Sequence, residues 1–100
     1  MNKVKVGCLE YKVEYTSKKI YHDDGQKLGD CHFDNNLIRV WTKQGKFNQY
    51  LTLFHEITHA ILSERDLDKI NTEEVVEPLS KGIMAFIIDN KELIMEVLNG

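Results

Sequence analysis

Residues 46–64, KFNQYLTLFHEITHAILSE, decide how this chain folds. Apolar side chains recur there every three or four residues, which is the spacing of one face of an α-helix. They are Tyr50, Leu53, Phe54, Ile57, Ala60 and Ile61. A second row, which contains Leu51 and Leu62, runs beside the first, so we expect a helix that is buried over most of its circumference.

Residues 1–45, before this helix, have the pattern of strands. Apolar and charged residues alternate between positions 3 and 16, and the alternation changes parity at Gly7, which predicts a bulge or a tight turn there. Residues 23–30 are polar, contain two glycines and predict a loop. Residues 34–36, Asp-Asn-Asn, separate two apolar runs and predict a hairpin turn, because Asn and Asp tolerate a positive φ.

After the charged run at residues 64–66 a second helix is expected. Asn71 is a candidate N-cap with Glu74 at the capping-box position, and an apolar stripe continues from there to about residue 90, followed by a short terminal helix. Pro78 interrupts this pattern, because a proline inside a helix removes one hydrogen bond. Either the helix kinks there, or it begins near Glu77 with Pro78 in its first turn.

The chain therefore predicts one α+β domain over residues 1–100. Residues 1–45 are β-rich and residues 46–100 are helical, so we expect a small N-terminal antiparallel sheet, one central helix and one or two C-terminal helices. A chain of 100 residues with 42% hydrophobic content is too short for two cores.

Composition excludes several classes of function. No apolar run approaches the roughly 18 residues of a membrane span, and the N-terminus lacks the apolar stretch of a secretory signal, so a cytoplasmic location is expected. In such a reducing compartment Cys8 and Cys31 are expected to be free thiols. The net charge is −3 and the lysines are scattered, which does not favour nucleic-acid binding, while acidic residues concentrate in the second half of the chain.

The sharpest motif is H-E-x-x-H, formed by His55, Glu56 and His59 within the predicted central helix. Residues four apart lie on the same face of a helix, so the two imidazoles can bind one metal ion, and Zn²⁺ suits that geometry. Glu56 follows the first histidine and would lie beside the metal, where it can take a proton from water. This is the machinery of a hydrolase.

A catalytic zinc usually has a third protein ligand. Glu73, Glu74 and Glu77 are candidates, because the second helix must fold back on the first to bury its apolar stripe. Acidic residues in a first helical turn are also explained by the helix dipole, and Glu74 by the capping box. The competitors outside this helix are Cys8, Cys31, His22 and His32.

Residues 27–90, approximately, resemble the ImmA/IrrE family of zinc metallopeptidases, most closely its short members from phages and mobile elements. The features that carry the resemblance are the β-rich region, the segment LFHEITHAIL and the helix start EEVVEPLS. The resemblance implies a minimal zincin-like domain. In that family a glutamate at the head of E-x-x-A-N-x-F-A is the third ligand, which implies Glu73 here. Glu77, Pro78 and Ser80 depart from the pattern, so Glu77 remains an alternative, or a partner that orients a histidine.

The resemblance implies a zinc-dependent endopeptidase that cleaves a protein substrate, such as a repressor or another regulatory protein. In this interpretation His55, His59 and Glu73 hold Zn²⁺ and Glu56 activates water. The residue that stabilises the reacting carbonyl oxygen is open among five side chains, namely Tyr21, His22, His32, Tyr50 and Arg65. The alternative is a zinc-stabilised module that binds a host or phage protein without cleaving it, although Glu56 would have no purpose in a purely structural site.

Overall fold

The computed structural model describes residues 2–100 and confirms the α+β class, with strands first and helices after them. Four strands form the main sheet in the order β1-β2-β6-β5, and β3 pairs with β4 as a separate hairpin. The strands are β1 Lys3–Val6, β2 Leu9–Thr16, β3 Ile20–His22, β4 Gly25–Lys27, β5 Gly29–His32 and β6 Leu37–Trp41. Since β1 and β5 end the order, each has one edge without a partner strand in the sheet.

The sheet is mixed, which corrects the expectation of a fully antiparallel one. β1 and β2 are antiparallel, as are β5 and β6, but β2 and β6 run parallel, with Lys12 opposite Leu37 and Thr16 opposite Trp41. The physical reason is the long connection between β2 and β6. It contains the β3–β4 hairpin and β5, and this length allows the chain to return to the start of β2 before β6 begins.

Both predicted turns are confirmed. Gly7 has a φ of 60° in the tight turn between β1 and β2, and Asn36 has a φ of 51° in the hairpin turn between β5 and β6. The polar stretch of residues 23–30 is not a loop throughout, however, because it contains β4 and the start of β5. Its polar composition gave no local signal for these two short strands, which border the cleft described below.

The helices are α1 Lys46–Glu64, α2 Glu73–Asp89 and α3 Lys91–Asn99, with a single 3-10 turn at Asp68–Ile70. α1 begins and ends where its pattern predicted. α2 begins at Glu73 with Thr72 as N-cap, so the predicted Asn71 cap and the start near Glu77 are both wrong. Pro78 lies inside α2. The side chain of Asn71 is bound elsewhere, as described below.

The core lies between the main sheet and α1. Its buried residues include Tyr11, Val13, Ile38 and Val40 from the sheet and Leu53 and Ala60 from α1. α2 packs on α1, which brings the start of α2 beside the middle of α1, and α3 has no buried residue. Within residues 2–100 we find no helix of the length and apolar character that crossing a membrane requires.

β5 lies unusually close to α1, and Gly29 allows it. A Cβ at this position would lie 2.5 Å from Cγ2 of Thr52 and 2.7 Å from the backbone oxygen of Arg39. A glycine is therefore needed here because of a close approach between two elements. This approach places the edge strand directly beside the helix that carries H-E-x-x-H.

Candidate metal centre

His55 and His59 lie one turn apart on α1 and face the same side. Their ring centroids are 5.0 Å apart at an interplanar angle of 66°, and about 15% of each side chain is exposed. Edge-on rings at this separation can direct their nitrogens at a common point.

Glu73, the first residue of α2, brings its carboxylate between the two rings. Its Oε1 lies 2.9 Å from Nε2 of His55, and its Oε2 lies 2.7 Å from Nε2 of His59. The ligand atoms of the three residues lie within 4.8 Å of one another, so His55, His59 and Glu73 could together hold a metal ion. Two imidazoles and one carboxylate are a donor set that zinc, among other divalent ions, accepts.

Asn71 fixes the orientation of the His59 ring. The amide Nδ2 of Asn71 donates to the backbone oxygen of His59 over 3.1 Å, and its Oδ1 lies 2.6 Å from Nδ1 of His59. Because that amide oxygen only accepts, Nδ1 of His59 must carry the hydrogen. In a neutral ring the lone pair then lies on Nε2, which faces Glu73 and is the atom a metal would bind.

The sequence predicted Asn71 as a helix cap and missed this role. The available signal was its position two residues before the favoured ligand Glu73.

Glu77, the alternative third ligand, lies on the other side of His55. Its Oε1 is 3.8 Å from Nδ1 of His55 and 3.4 Å from Nζ of Lys81, one turn further along α2. Glu74 is exposed in the first turn of α2. Of the three candidate glutamates, only Glu73 therefore reaches the Nε2 atoms of both histidines.

Glu56 is buried, with 7% of the residue exposed, and is not one of the three converging groups. Burial raises the pKa of its carboxyl to about 8, and the negative charges of Glu73, Asp30 and Glu77 act in the same direction. Burial also acts to raise the pKa of Glu73, but hydrogen bonding to His59 and the positive character of both histidines outweigh it, so this pKa is lowered. The two carboxyl groups thus differ in proton affinity.

Two clefts, of about 360 and 380 Å³, adjoin the centre. They share Lys27, Gly29, Glu56 and Glu73, and His55 lines the first cleft while His59 lines the second. The two clefts therefore form one groove, which runs between β5 and the start of α2 and passes His55, His59 and Glu73. Glu56 borders both halves of this groove.

A second charged cluster, which the sequence did not predict, is centred on Asp30 in β5. Asp30 is 5% exposed, and its carboxylate accepts hydrogen bonds from Nε and Nη2 of Arg39, from Nε2 of His22 over 2.9 Å and from Nε2 of His32 over 3.0 Å. Burial alone would raise the pKa of Asp30, but Arg39 and the two histidines lower it to about 2. The carboxylate is therefore ionised at neutral pH.

The remaining competitors for the third ligand position lie elsewhere. His22 and His32 bind Asp30, Cys8 is exposed, and Cys31 is half-buried in β5. Burial, with the negative charges of Glu56 and Asp30, raises the pKa of the Cys31 thiol to about 12. Both cysteines are free, as the sequence predicted.

Among the candidates for stabilising a carbonyl oxygen, position distinguishes one residue. His22 lines one half of the groove, whereas neither half is lined by Tyr21, Tyr50, Arg65 or His32.

Comparison of the chain with protein-family models, with curated proteins and with solved structures finds no match.

Proposed function

We propose that this protein is a zinc-dependent endopeptidase that hydrolyses a peptide bond in a protein substrate. The observation that carries the proposal is the convergence of His55, His59 and Glu73 in an open groove that Glu56 borders without joining the three. A purely structural zinc site would instead be closed by a fourth protein ligand. In the described residues, the group of potential metal-binding side chains at this place has three members.

His55 and His59 would hold the ion through Nε2 and Glu73 through a carboxylate oxygen. When bound, the ion supplies Lewis acidity to a water molecule and to the substrate's carbonyl oxygen. Glu56 would complement the ion as the proton carrier: in its ionised form the carboxylate accepts a proton from water, and the resulting carboxylic acid later donates it to the leaving amine. The Glu56 side chain is packed beside His55, His59 and Glu73, and this packing holds its carboxyl group at the wall of the groove.

The groove suits an extended chain. One of its borders is β5, an edge strand whose second side has no partner strand in the sheet, and an extended peptide can add to such an edge through backbone hydrogen bonds. Both halves of the groove adjoin Glu56, so the groove has room for substrate residues on both sides of the cleaved bond. This arrangement favours an endopeptidase over an enzyme for small amides.

We further propose that the substrate is a regulatory protein, such as a repressor, and that the reaction takes place in the cytoplasm. The support is the resemblance of LFHEITHAIL and EEVVEPLS to short mobile-element metallopeptidases. The scattered lysines and the net charge of −3 give no support to a nucleic-acid partner.

The test compares zinc content and peptide hydrolysis in the same preparations. The wild type, Glu56→Gln, His59→Ala and the exposed control Glu74→Gln are reconstituted with Zn²⁺, dialysed and measured by elemental analysis. Each is then incubated with a mixture of quenched fluorescent peptides of random sequence and with casein.

We expect one zinc per chain in the wild type, in Glu56→Gln and in Glu74→Gln, and loss of zinc in His59→Ala. Peptide hydrolysis is expected in the wild type and in Glu74→Gln alone. A wild type that holds zinc but cleaves neither probe would favour a zinc-stabilised binding module instead. A wild type that holds no zinc after reconstitution would refute both interpretations.

A further inference from the structure

His22 and His32 bind the same carboxylate but occupy different places. Each donates through Nε2 to Oδ2 of Asp30, over 2.9 and 3.0 Å respectively. His22, at the end of β3, lines the half of the groove that also contains Glu56, His59 and Glu73, whereas His32 lines neither half. His32 is therefore a matched control for His22, because both bind the same carboxylate and only His22 lines the groove.

Asp30 determines which ring nitrogen of His22 is available to bind a ligand in the groove. An ionised carboxylate can only accept hydrogen bonds, so Nε2 of His22 carries a hydrogen and Nδ1 is the remaining polar atom of the ring. No hydrogen bond joins this Nδ1 to another group in residues 2–100. The His22 side chain is 44% exposed, which leaves this nitrogen available to a ligand.

Asp30 also makes His22 suitable for binding a negatively charged or strongly polarised oxygen. With Nε2 donating to the Asp30 carboxylate, the imidazolium form of His22 presents its second donor, Nδ1, to the groove. Asp30 itself is held by two hydrogen bonds from Arg39 and is nearly inaccessible, so the His22 ring is anchored rather than free to rotate. A donor that is fixed in advance at a groove wall loses little entropy when it binds.

We propose that His22 binds the substrate's carbonyl oxygen at the metal centre, by donating a hydrogen bond from Nδ1, and that Asp30 positions its ring. The inference rests on the proposed function and adds a residue to it. Because the hydrogen bond strengthens as negative charge develops on that oxygen, His22 would stabilise the tetrahedral intermediate more than the substrate.

The test measures binding of two small zinc-binding probes by calorimetry, and needs no known substrate. Acetohydroxamate binds zinc through its own two oxygens. An N-phosphoryl dipeptide presents a tetrahedral anionic group that resembles a hydrated peptide carbonyl. Zinc-loaded wild type, His22→Gln and His32→Gln are compared, with thermal unfolding to show that both variants are folded.

We expect His22→Gln to weaken binding of the phosphoryl dipeptide by about tenfold or more, since hydrogen bonds to charged groups are the stronger class. His32→Gln should change it by less than about twofold, because it removes the same kind of bond to Asp30 without altering the groove. Acetohydroxamate should bind all three proteins equally.

Three results would overturn the assignment of His22. They are equal losses of dipeptide affinity in the two variants, no loss in His22→Gln, and a wild type that binds the hydroxamate but not the dipeptide. If the zinc-loaded wild type bound neither probe, the proposed function itself would fail and His22 with it.

Discussion

Asn71 and His59 are joined by two hydrogen bonds, one between the amide oxygen and the ring Nδ1 and one between the amide Nδ2 and the backbone oxygen of His59. The pair links the loop before α2 to the middle of α1. It therefore fixes both the ring that faces Glu73 and the entry of the chain into the helix that begins with Glu73.

This relationship predicts that Asn71→Ala weakens zinc binding about 10- to 100-fold, because the His59 ring loses the partner that selects its tautomer. Competition with a coloured chelator measures the change in affinity. Thr72→Ala is the matched control, since the Thr72 side chain makes no capping hydrogen bond to α2. Unchanged zinc affinity in Asn71→Ala would contradict the role assigned to Asn71.

Glu73 and Glu77, both on α2, should differ in their effect on zinc binding. Glu73→Gln removes the carboxylate proposed as the third ligand and should weaken zinc binding by roughly 100-fold or more, given the large binding energy of zinc sites. Glu77→Gln should have an effect of about tenfold or less, because Glu77 reaches only Nδ1 of His55, over 3.8 Å. The same chelator competition decides the order, and a larger effect of Glu77→Gln would exchange the two roles.

Asp30 should contribute to stability above pH 4 and lose that contribution in acid. Its pKa is lowered from 3.8 to about 2, so the unfolded chain binds the proton more tightly. The contribution is thus complete above the unfolded pKa and disappears as the pH falls through the folded one. A shift of this size corresponds to about 2 kcal/mol.

Urea unfolding between pH 2 and pH 5 measures the effect. Asp30→Asn should be less stable than the wild type at pH 7, and the difference should shrink below about pH 4 as the wild-type carboxylate becomes protonated. A difference that stays constant with pH would show that Asp30 contributes by packing alone.

Gly29→Ala should destabilise the fold, because the added Cβ would meet the Thr52 methyl group and the backbone of Arg39. Overpacking of this kind costs about 1–3 kcal/mol. Gly82→Ala is the control: Gly82 lies inside α2, a Cβ there meets nothing within 4 Å, and alanine favours helix by about 1 kcal/mol. Urea unfolding should therefore shift in opposite directions for the two variants, and equal shifts would exclude a close contact at β5.

The two thiols should react at different rates. Burial and neighbouring negative charges raise the pKa of Cys31 to about 12, whereas Cys8 is exposed in a turn. A disulfide reagent at pH 8 should label one of the two thiols rapidly and both after unfolding, since the thiolate is the reactive form. Cys8→Ser should abolish the rapid phase, and its persistence would mean that Cys31 is accessible.

Local patterns were enough to predict part of this molecule. The period of residues 46–64 predicted α1 to its ends, and Gly7 and the Asp34-Asn35-Asn36 turn were predicted from backbone preferences of single residues. The face shared by His55 and His59 also follows from helix geometry alone. These properties depend on residues within four or five positions of each other.

Contacts between distant segments had no such local signal. The parallel pairing of β2 with β6 depends on where a connection of twenty residues leads, and β4 was concealed in a polar stretch. The Asn71 side chain could cap α2 or bind His59, and only the packing of α2 on α1 decided between these partners.

By itself the sequence determined the α+β order, the helix that carries H-E-x-x-H and the shared face of its two histidines. Only the tertiary structure decided that Glu73 and not Glu77 lies between the two histidines. It also decided the tautomer of His59 and the Asp30 network that holds His22. The physical reason is that hydrogen bonds and charge interactions act over a few ångströms in space, and these partners are 8 to 18 residues apart in the chain.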